Sequence, residues 1–144
     1  MLTKEGIALL ERVKAHILEE PRRLDMDIFV RSAATEEICP TAYWPECGTT
    51  GCIAGWTVML VKGREETIQL DLTGGRVGRA AQKLLGISDV ERAELFYLWP
   101  EEYGVAKRNG DHAEAARIIA ARIDQFIAER RPPVGTATPE VREG

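Results

Sequence analysis

Two of the three cysteines of the chain flank a short glycine and threonine segment, a position that is compatible with thiol chemistry. Cys47 and Cys52 enclose Gly48-Thr49-Thr50-Gly51, where an apolar helix predicted over residues 51–62 begins. A cysteine in the first turn of a helix lies at the positive end of the helix dipole, which lowers the pKa of its thiol and makes it more nucleophilic. One hypothesis is therefore a thiol-dependent enzyme or redox protein that uses Cys47 or Cys52.

Such an enzyme needs a base beside the thiol, and the chain has two histidines. His112 follows a predicted helix cap and is the better candidate for the base. His16 flanks the apolar stripe of the first helix, which is typical of a packing residue. The catalytic candidates are Cys47, Cys52 and His112, but the sequence assembles no complete catalytic set and so favours a protein that is not an enzyme.

Two other interpretations of the cysteines stay open. In the first, Cys52 is a small buried hydrophobe and Cys47 lies in a tight turn, since free cysteines are among the most buried residues. In the second, Cys39, Cys47, Cys52 and a histidine bind a structural metal ion, although their spacing is not that of paired zinc-binding cysteines. An odd number of cysteines without a signal peptide does not indicate a disulfide framework.

Two glycine-rich segments could bind anions. Gly48-Thr49-Thr50-Gly51 offers amides and hydroxyls at a helix start but lacks the lysine of a P-loop, and Gly74-Gly75-Arg76-Val77-Gly78 lacks the preceding βαβ context of a dinucleotide site. We therefore predict no cofactor. Six arginines could form a phosphate or carboxylate patch if they converge, although on an acidic protein such residues are typical of solvated faces. They are Arg22, Arg23, Arg76, Arg79, Arg130 and Arg131.

The elements that must position these residues are predicted to be mainly α-helical. Apolar residues at three-to-four spacing predict about five helices. Their ranges are 3–19, 51–62, 77–85, 88–98 and 111–127. The helix over 51–62 is apolar almost all round, so we expect it at the centre of the fold. Residues 67–72 alternate strictly between apolar and polar, which predicts a strand that pairs with residues 24–28 in a small two-stranded β-ribbon.

Local signals predict where several helices begin and end. A hydroxyl at a helix start accepts a hydrogen bond from a free amide, and Ser or Asp followed three residues later by Glu is typical of a capping box. A glycine is common just past the last turn. The predicted signals are a cap at Thr49 or Thr50, a terminating glycine at Gly86, and capping boxes at Ser88 with Glu91 and at Asp111 with Glu114.

Composition predicts one small domain over residues 1–131, followed by a disordered C-terminal tail over 132–144. The length of 144 residues fits one domain, 44% hydrophobic residues suffice for a core, and the tail is rich in proline with few apolar residues. No apolar run approaches the roughly 20 residues that span a bilayer, and the charged N-terminus is not a signal peptide. We expect a cytoplasmic protein without a membrane partner. The net charge of -4 excludes the basic field that non-specific nucleic-acid binding requires.

The cysteine segment resembles a family of small uncharacterised proteins from bacteria and their phages. The pattern Cys-Gly-Thr-x-x-Cys-x-Ala-Gly over residues 47–55 carries the resemblance, with Pro21-Arg22-Arg23-Leu24-Asp25-Met26 before it and Leu84-Leu85-Gly86-Ile87 and Trp99-Pro100 after it. Gly51 stands where alanine is familiar. The resemblance implies a shared fold and a shared functional region at this helix entry, and it implies no catalytic residue.

Together these observations favour a small cytosolic interaction or regulatory protein, of phage or mobile-element origin, that binds a macromolecular partner. We expect this partner to be another protein. Tyr43 and Trp44 are the predicted contact residues, because aromatic side chains in irregular segments are common at interfaces. Gly48, Thr49 and Thr50 are further binding candidates. A thiol-dependent enzyme and a structural metal-binding domain are the alternatives.

Overall fold

The computed structural model describes residues 2–26, 51–72 and 76–130. These residues form seven α-helices and one short 3-10 turn, Pro21–Arg23. The helices are α1 (Lys4–Glu19), α2 (Ile53–Lys62), α3 (Arg64–Leu72), α4 (Val77–Leu85), α5 (Asp89–Phe96), α6 (Glu101–Arg108) and α7 (His112–Arg130). The prediction of a mainly α-helical fold is confirmed. The predicted number of five is too low, because the alternation within α3 predicts a strand and α6 buries only Tyr103 and Ala106.

The first helix is fixed against the end of α4. Thr3 caps α1 by accepting a hydrogen bond from the Gly6 amide at 2.9 Å, and the Thr3 amide donates to the carbonyl of Leu85 at 3.3 Å. A Cβ atom at Gly6 would clash with that same carbonyl. Glycine is therefore required at position 6 because the two backbones approach closely.

The second helix begins at Ile53, later than the predicted start at Gly51. Its N-cap is Cys52, whose Sγ accepts a hydrogen bond from the Gly55 amide at 3.4 Å. The prediction that Thr49 or Thr50 caps this helix is wrong, because Cys52 occupies the N-cap position. Residues 49 and 50 themselves lie outside the described part of the chain. All residues from Ile53 to Met59 are buried, which is what an almost wholly apolar helix requires.

The predicted strand over residues 67–72 is wrong, because these residues form the second half of α3. The Thr67 hydroxyl donates to the carbonyl of Gly63 at 2.7 Å, as in a helix, and Thr67 and Leu70 pack inward on one face. Positions three apart lie on the same face of a helix, and in this segment only two such positions need to face the core. A short segment that alternates between apolar and polar residues can therefore also form a helix with a narrow buried face.

The predicted β-ribbon is therefore wrong as well. Leu24 forms instead an isolated parallel bridge with Gly51, and residues 27 and 28 lie outside the described ones. Both backbone groups of Gly51 take part in this bridge, which is why Gly51 does not begin the helix.

Local end signals are confirmed for α4 and α5. Gly86 adopts a left-handed conformation with a φ of 74°, and Ser88 and Glu91 form a reciprocal capping box. α5 ends at Phe96, short of the predicted Leu98.

The second predicted capping box is half formed, at the start of α7. The Asp111 carboxylate accepts from the Glu114 amide at 3.1 Å, but the Glu114 carboxylate pairs with Arg117. The Asp111 amide donates instead to the carbonyl of Ala106 at 2.9 Å, so it needs no side-chain partner.

One hydrophobic core joins the helices of the described residues. Its largest fully buried side chains are Trp56, Phe96, Tyr103 and Phe126, contributed by α2, α5, α6 and α7. None of the described helices is both long and apolar enough to cross a membrane.

Candidate functional site

The helix entry at Cys52 is held by Arg23, which links three parts of the chain. Its carbonyl accepts hydrogen bonds from the Gly51 amide at 2.8 Å and from the Trp56 indole N–H at 2.7 Å. Its guanidinium donates to the carbonyl of His16 at 2.9 Å and to the carboxylate of Glu19 at 3.0 Å. Arg23 thus joins the end of α1 to the start of α2.

The His16 ring lies between Arg23 and Trp56. The ring centroids of His16 and Trp56 are 4.3 Å apart in an edge arrangement, and Nδ1 of His16 lies 3.2 Å from Nη1 of Arg23. Since a guanidinium can only donate, Nδ1 accepts, and the ring is neutral. Burial, and next the neighbouring Arg23 charge, lower the pKa of His16 from 6.5 to about 4. His16 is therefore a packing and hydrogen-bonding residue, as its position in α1 suggests.

The Cys52 thiol is buried at this junction, with 3% of the residue exposed. Burial raises the pKa of the thiol from 9.0 to about 11 and outweighs the hydrogen bond from the Gly55 amide, which lowers it. This is the opposite of the lowered pKa expected from the helix dipole alone. In this position Cys52 caps a helix and packs in the core.

The other predicted site residues do not gather around Cys52 in the described part of the chain. His112 is exposed in the first turn of α7 and forms no hydrogen bond to the Cys52 thiol there. No group of three metal-ligating side chains exists among the described residues. Seven predicted residues lie outside the described ones, so they stay predictions: Cys39, Tyr43, Trp44, Cys47, Gly48, Thr49 and Thr50.

The segment that leads into the helix entry is also anchored to α6. The Met26 amide donates to the Tyr103 hydroxyl at 2.8 Å, and Asp25 forms an ion pair with Lys107 at 2.8 Å. The chain is therefore fixed at Met26 and again at Gly51. The contacts around Cys52 therefore connect α1, α2 and α6. Because Met26, Cys52 and Trp56 are buried there, little surface is left for a ligand.

A second region has the features of a binding surface, and we call it the aromatic cleft. It is an open cavity of about 640 Å³ beside the connection between α5 and α6. Its lining residues are Glu94, Tyr97, Leu98, Trp99, Pro100, Arg122, Gln125 and Glu129. Tyr97 is 49% exposed and Leu98 65% exposed, so two large apolar side chains face solvent next to one another.

Ring contacts hold the aromatic side of the cleft in place. Tyr97 meets Phe96 edge to face with 6.4 Å between ring centroids, and Trp99 meets Tyr103 in the same way at 5.9 Å. Phe96 and Tyr103 are buried in the core. The Tyr97 and Trp99 rings therefore rest against buried core rings, which restricts their orientations and lowers the entropy cost of binding.

Ion pairs hold the opposite side, on α7. Arg122 and Arg130 both bind the carboxylate of Glu94, at 3.3 and 2.6 Å, and Arg130 also binds Glu91 at 2.8 Å. The Arg130 guanidinium lies 3.9 Å from the Phe126 ring centroid. Although burial raises the pKa of Glu91, hydrogen bonds from the Ser88 amide and from Arg130 hold it below its usual range. These pairs fix α7 against α5.

Sequence reasoning missed the aromatic cleft. Residues 97–100 were predicted only as the end of a helix, and the available signal was four consecutive apolar or aromatic residues at a helix end. The participation of α7 depends on helix packing, which no local pattern reveals.

Comparison with known proteins identifies no relative of this chain. No family model, no curated protein and no solved structure matches the chain. The resemblance based on the Cys-Gly-Thr-x-x-Cys-x-Ala-Gly pattern therefore stays a prediction.

Proposed function

We propose that this chain is a small cytosolic interaction protein that binds a protein partner through the aromatic cleft. The observation that carries the proposal is the adjacent exposure of Tyr97 and Leu98, with the Tyr97 ring packed against the buried Phe96 ring. In this proposal α2 is the central helix of the scaffold, and the helix entry at Cys52 serves the fold.

The cleft has the anatomy of a protein interface. Interfaces combine an apolar centre rich in Tyr, Trp and Arg with a polar rim. Here Tyr97, Leu98 and Trp99 form the centre, and Gln125 and Glu129 belong to the rim. Fully burying an exposed leucine contributes about 1.5–3 kcal/mol. Leu98 is 65% exposed and Tyr97 49% exposed, so a partner that covers both gains part of that amount at each, against about 8 kcal/mol for a micromolar affinity.

The charges at the cleft favour protein over nucleic acid. Glu94 and Glu129 line it, and Arg122 and Arg130 are already engaged with carboxylates. A phosphate backbone would meet these carboxylates, whereas a protein segment that inserts an apolar side chain would not. We therefore expect a partner that presents an exposed apolar or aromatic anchor residue.

The thiol-enzyme hypothesis receives less support from the described residues. A catalytic cysteine must reach substrate as a thiolate, whereas Cys52 is buried with a raised pKa, and His112 is exposed elsewhere. Cys47 lies outside the described residues, so its part in that hypothesis stays untested.

Site-specific photo-crosslinking tests the proposal on the full chain. A benzophenone amino acid replaces Leu98 in one sample and Val90, which is 75% exposed on α5, in the control. The chain is then irradiated in cells that naturally contain it. We expect one protein to be crosslinked at position 98 and not at position 90.

The crosslinked protein is then purified and its affinity measured. We expect Tyr97→Ser with Leu98→Ser to weaken binding at least about tenfold and Val90→Ser to leave it unchanged. Equal crosslinking at both positions, or an unchanged affinity of the double variant, would refute the proposal.

A further inference from the structure

A second cavity, which shares no lining residue with the aromatic cleft, is rich in positive charge although the protein is acidic. It is open, measures about 730 Å³, and lies beside α4 with contributions from the ends of α2 and α3. Four of its lining residues carry positive charge: Lys62, Arg76, Arg79 and Lys83. No carboxylate is among the lining side chains that the structure describes. We call this region the basic cavity.

Helical spacing brings three of these cations together. Arg76, Arg79 and Lys83 follow one another at intervals of three and four residues, so they lie on one face at the start and along the length of α4. All three are exposed. Lys62 joins them from the end of α2 and keeps a long ion pair with Glu66 at 3.6 Å, between exposed groups. Like charges in this arrangement repel, and a bound anion would relieve that repulsion.

The backbone adds to the positive field. Arg76 occupies the N-cap position of α4, and its side chain makes no capping hydrogen bond. The amides of the first turn therefore add the positive end of the helix dipole to the side-chain charges. The start of α4 is thus a supporting feature of an anion site, and the main evidence is that four cationic side chains line the same cavity.

Apart from Gln82 and Gly86, the remaining lining residues of the cavity are apolar. Leu70, Ala80, Leu84 and Ile87 line it, and Leu70, Ala80 and Leu84 are partly buried against the core. No aromatic side chain is found among the described lining residues, and base stacking on aromatic side chains is what single-stranded nucleic-acid sites use. The volume falls within the usual range for small-ligand pockets, about 300–1,000 Å³.

We propose that the basic cavity binds an amphipathic phosphate, that is, a phosphate monoester attached to an apolar body. Arginine guanidinium groups match phosphate oxygens in a two-point geometry, and several cations suit a doubly charged phosphate better than a single carboxylate. The apolar body would contact Leu70 and Leu84. Of the six arginines that were expected to form a patch only if they converge, Arg76 and Arg79 meet here, whereas Arg23 and Arg130 are engaged elsewhere.

Calorimetric titration of the full chain tests this site with three probes. They are n-octyl phosphate below its micelle concentration, inorganic phosphate, and n-octyl glucoside, which has the same apolar tail without charge. We expect octyl phosphate to bind at least about tenfold more tightly than either of the others, and its affinity to fall as salt rises.

Matched charge variants localise the binding. Arg79→Gln with Lys83→Gln should weaken octyl phosphate binding at least about tenfold, whereas Arg22→Gln with Arg108→Gln, two exposed cations outside the cavity, should not. Thermal unfolding verifies that both double variants fold. Chemical shifts of Leu70, Leu84 and Ile87 should move on titration.

Three results would overturn the proposal: no saturable binding at about 1 mM octyl phosphate, equal binding of octyl glucoside, or equal losses in both double variants. A vesicle assay distinguishes the source of the phosphate. Co-sedimentation with vesicles that contain phosphatidic acid, but not with pure phosphatidylcholine vesicles, identifies a lipid headgroup. Binding of octyl phosphate without co-sedimentation identifies a soluble phosphate ester.

Discussion

The indole N–H of Trp56 donates to the backbone carbonyl of Arg23 at 2.7 Å, across 33 positions of sequence. Trp56 is fully buried in α2, and Arg23 ends the 3-10 turn that follows α1. This hydrogen bond connects two segments that are distant in sequence. It fixes where α2 begins relative to α1.

Replacing Trp56 with phenylalanine should destabilise the fold by about 2–4 kcal/mol. The variant loses a buried hydrogen bond and leaves a cavity where the larger ring lay. Urea denaturation followed by circular dichroism measures the change. Tyr97→Phe, at an exposed ring, is the control and should lie within about 0.5 kcal/mol of the parent. Equal stabilities of the two variants would contradict the role assigned to the hydrogen bond.

The lowered pKa of His16 predicts that the fold loses stability as pH falls. The ordinary pKa is 6.5 and the folded value is about 4, so between these values the unfolded chain binds more protons than the folded one. Stability from this group is complete above pH 6.5 and is lost as pH falls towards 4. Burial is the main cause of the lowered pKa of His16, the charges of Arg23 and Arg12 lower it further, and the charge of Glu19 opposes them.

The measurement is the free energy of unfolding in urea at pH 7 and pH 5. We expect a decrease of roughly 1–2 kcal/mol, allowing for the partial exposure of the ring. His16→Gln keeps an acceptor for Arg23 but does not titrate, so its stability should change less over this range. A parallel pH dependence of both proteins would exclude His16 as the cause.

Cys52 should resist alkylation in the folded protein. Its thiol is buried and its pKa is about 11, so little thiolate is exposed near neutral pH. Iodoacetamide at pH 7.5, with mass spectrometry to assign each cysteine, should modify Cys52 at least about a hundredfold more slowly than in urea. Rapid modification of Cys52 in the native protein would revive the thiol-enzyme hypothesis.

Arg130 is expected to stabilise the contact between α5 and α7. Arg130→Met keeps a long apolar side chain at this position, but it removes the guanidinium that lies over the Phe126 ring and leaves the partly buried Glu91 and Glu94 without their closest partner. We expect a loss of about 1–3 kcal/mol in urea denaturation. Arg117→Gln is the matched control, because both side chains of the Arg117–Glu114 pair are largely open to solvent and its removal should change stability little. A similar effect of both substitutions would contradict this view.

Two glycines should respond to alanine in opposite directions. Gly6→Ala places a methyl group against the carbonyl of Leu85 and should destabilise the fold by about 1–3 kcal/mol. Gly104→Ala in α6 meets only the flexible end of Arg108 and should stabilise it by up to about 1 kcal/mol, because alanine is the better helix former. Thermal unfolding of both variants tests the pair. A stabilised Gly6→Ala would show that α1 and α4 do not approach as closely as described.

Much of the helical framework could be predicted because its signals are local. The capping box of Ser88 and Glu91 and the terminating Gly86 depend on residues within one helical turn. The identities of neighbouring residues are therefore enough to predict them. The alternation over 67–72 failed because a short pattern fits both a strand and a narrow helix face, and packing of Thr67 and Leu70 decides between them. Of the predicted catalytic, metal-binding and partner-binding residues, only Cys52 and His112 lie in the part of the chain that the structure describes.

The sequence by itself determined the helical class, the main helix ends and the acidic overall charge of this protein, because each follows from local hydrogen bonding or composition. Only the tertiary structure decided that Cys52 is a buried cap, because burial, and not the helix dipole, dominates the energy of its thiolate. It also decided that Lys62 lines the same cavity as Arg76, Arg79 and Lys83, and that residues of α7 line a cleft with residues 97–100. These relationships arise from packing between elements distant in sequence, which no local pattern encodes.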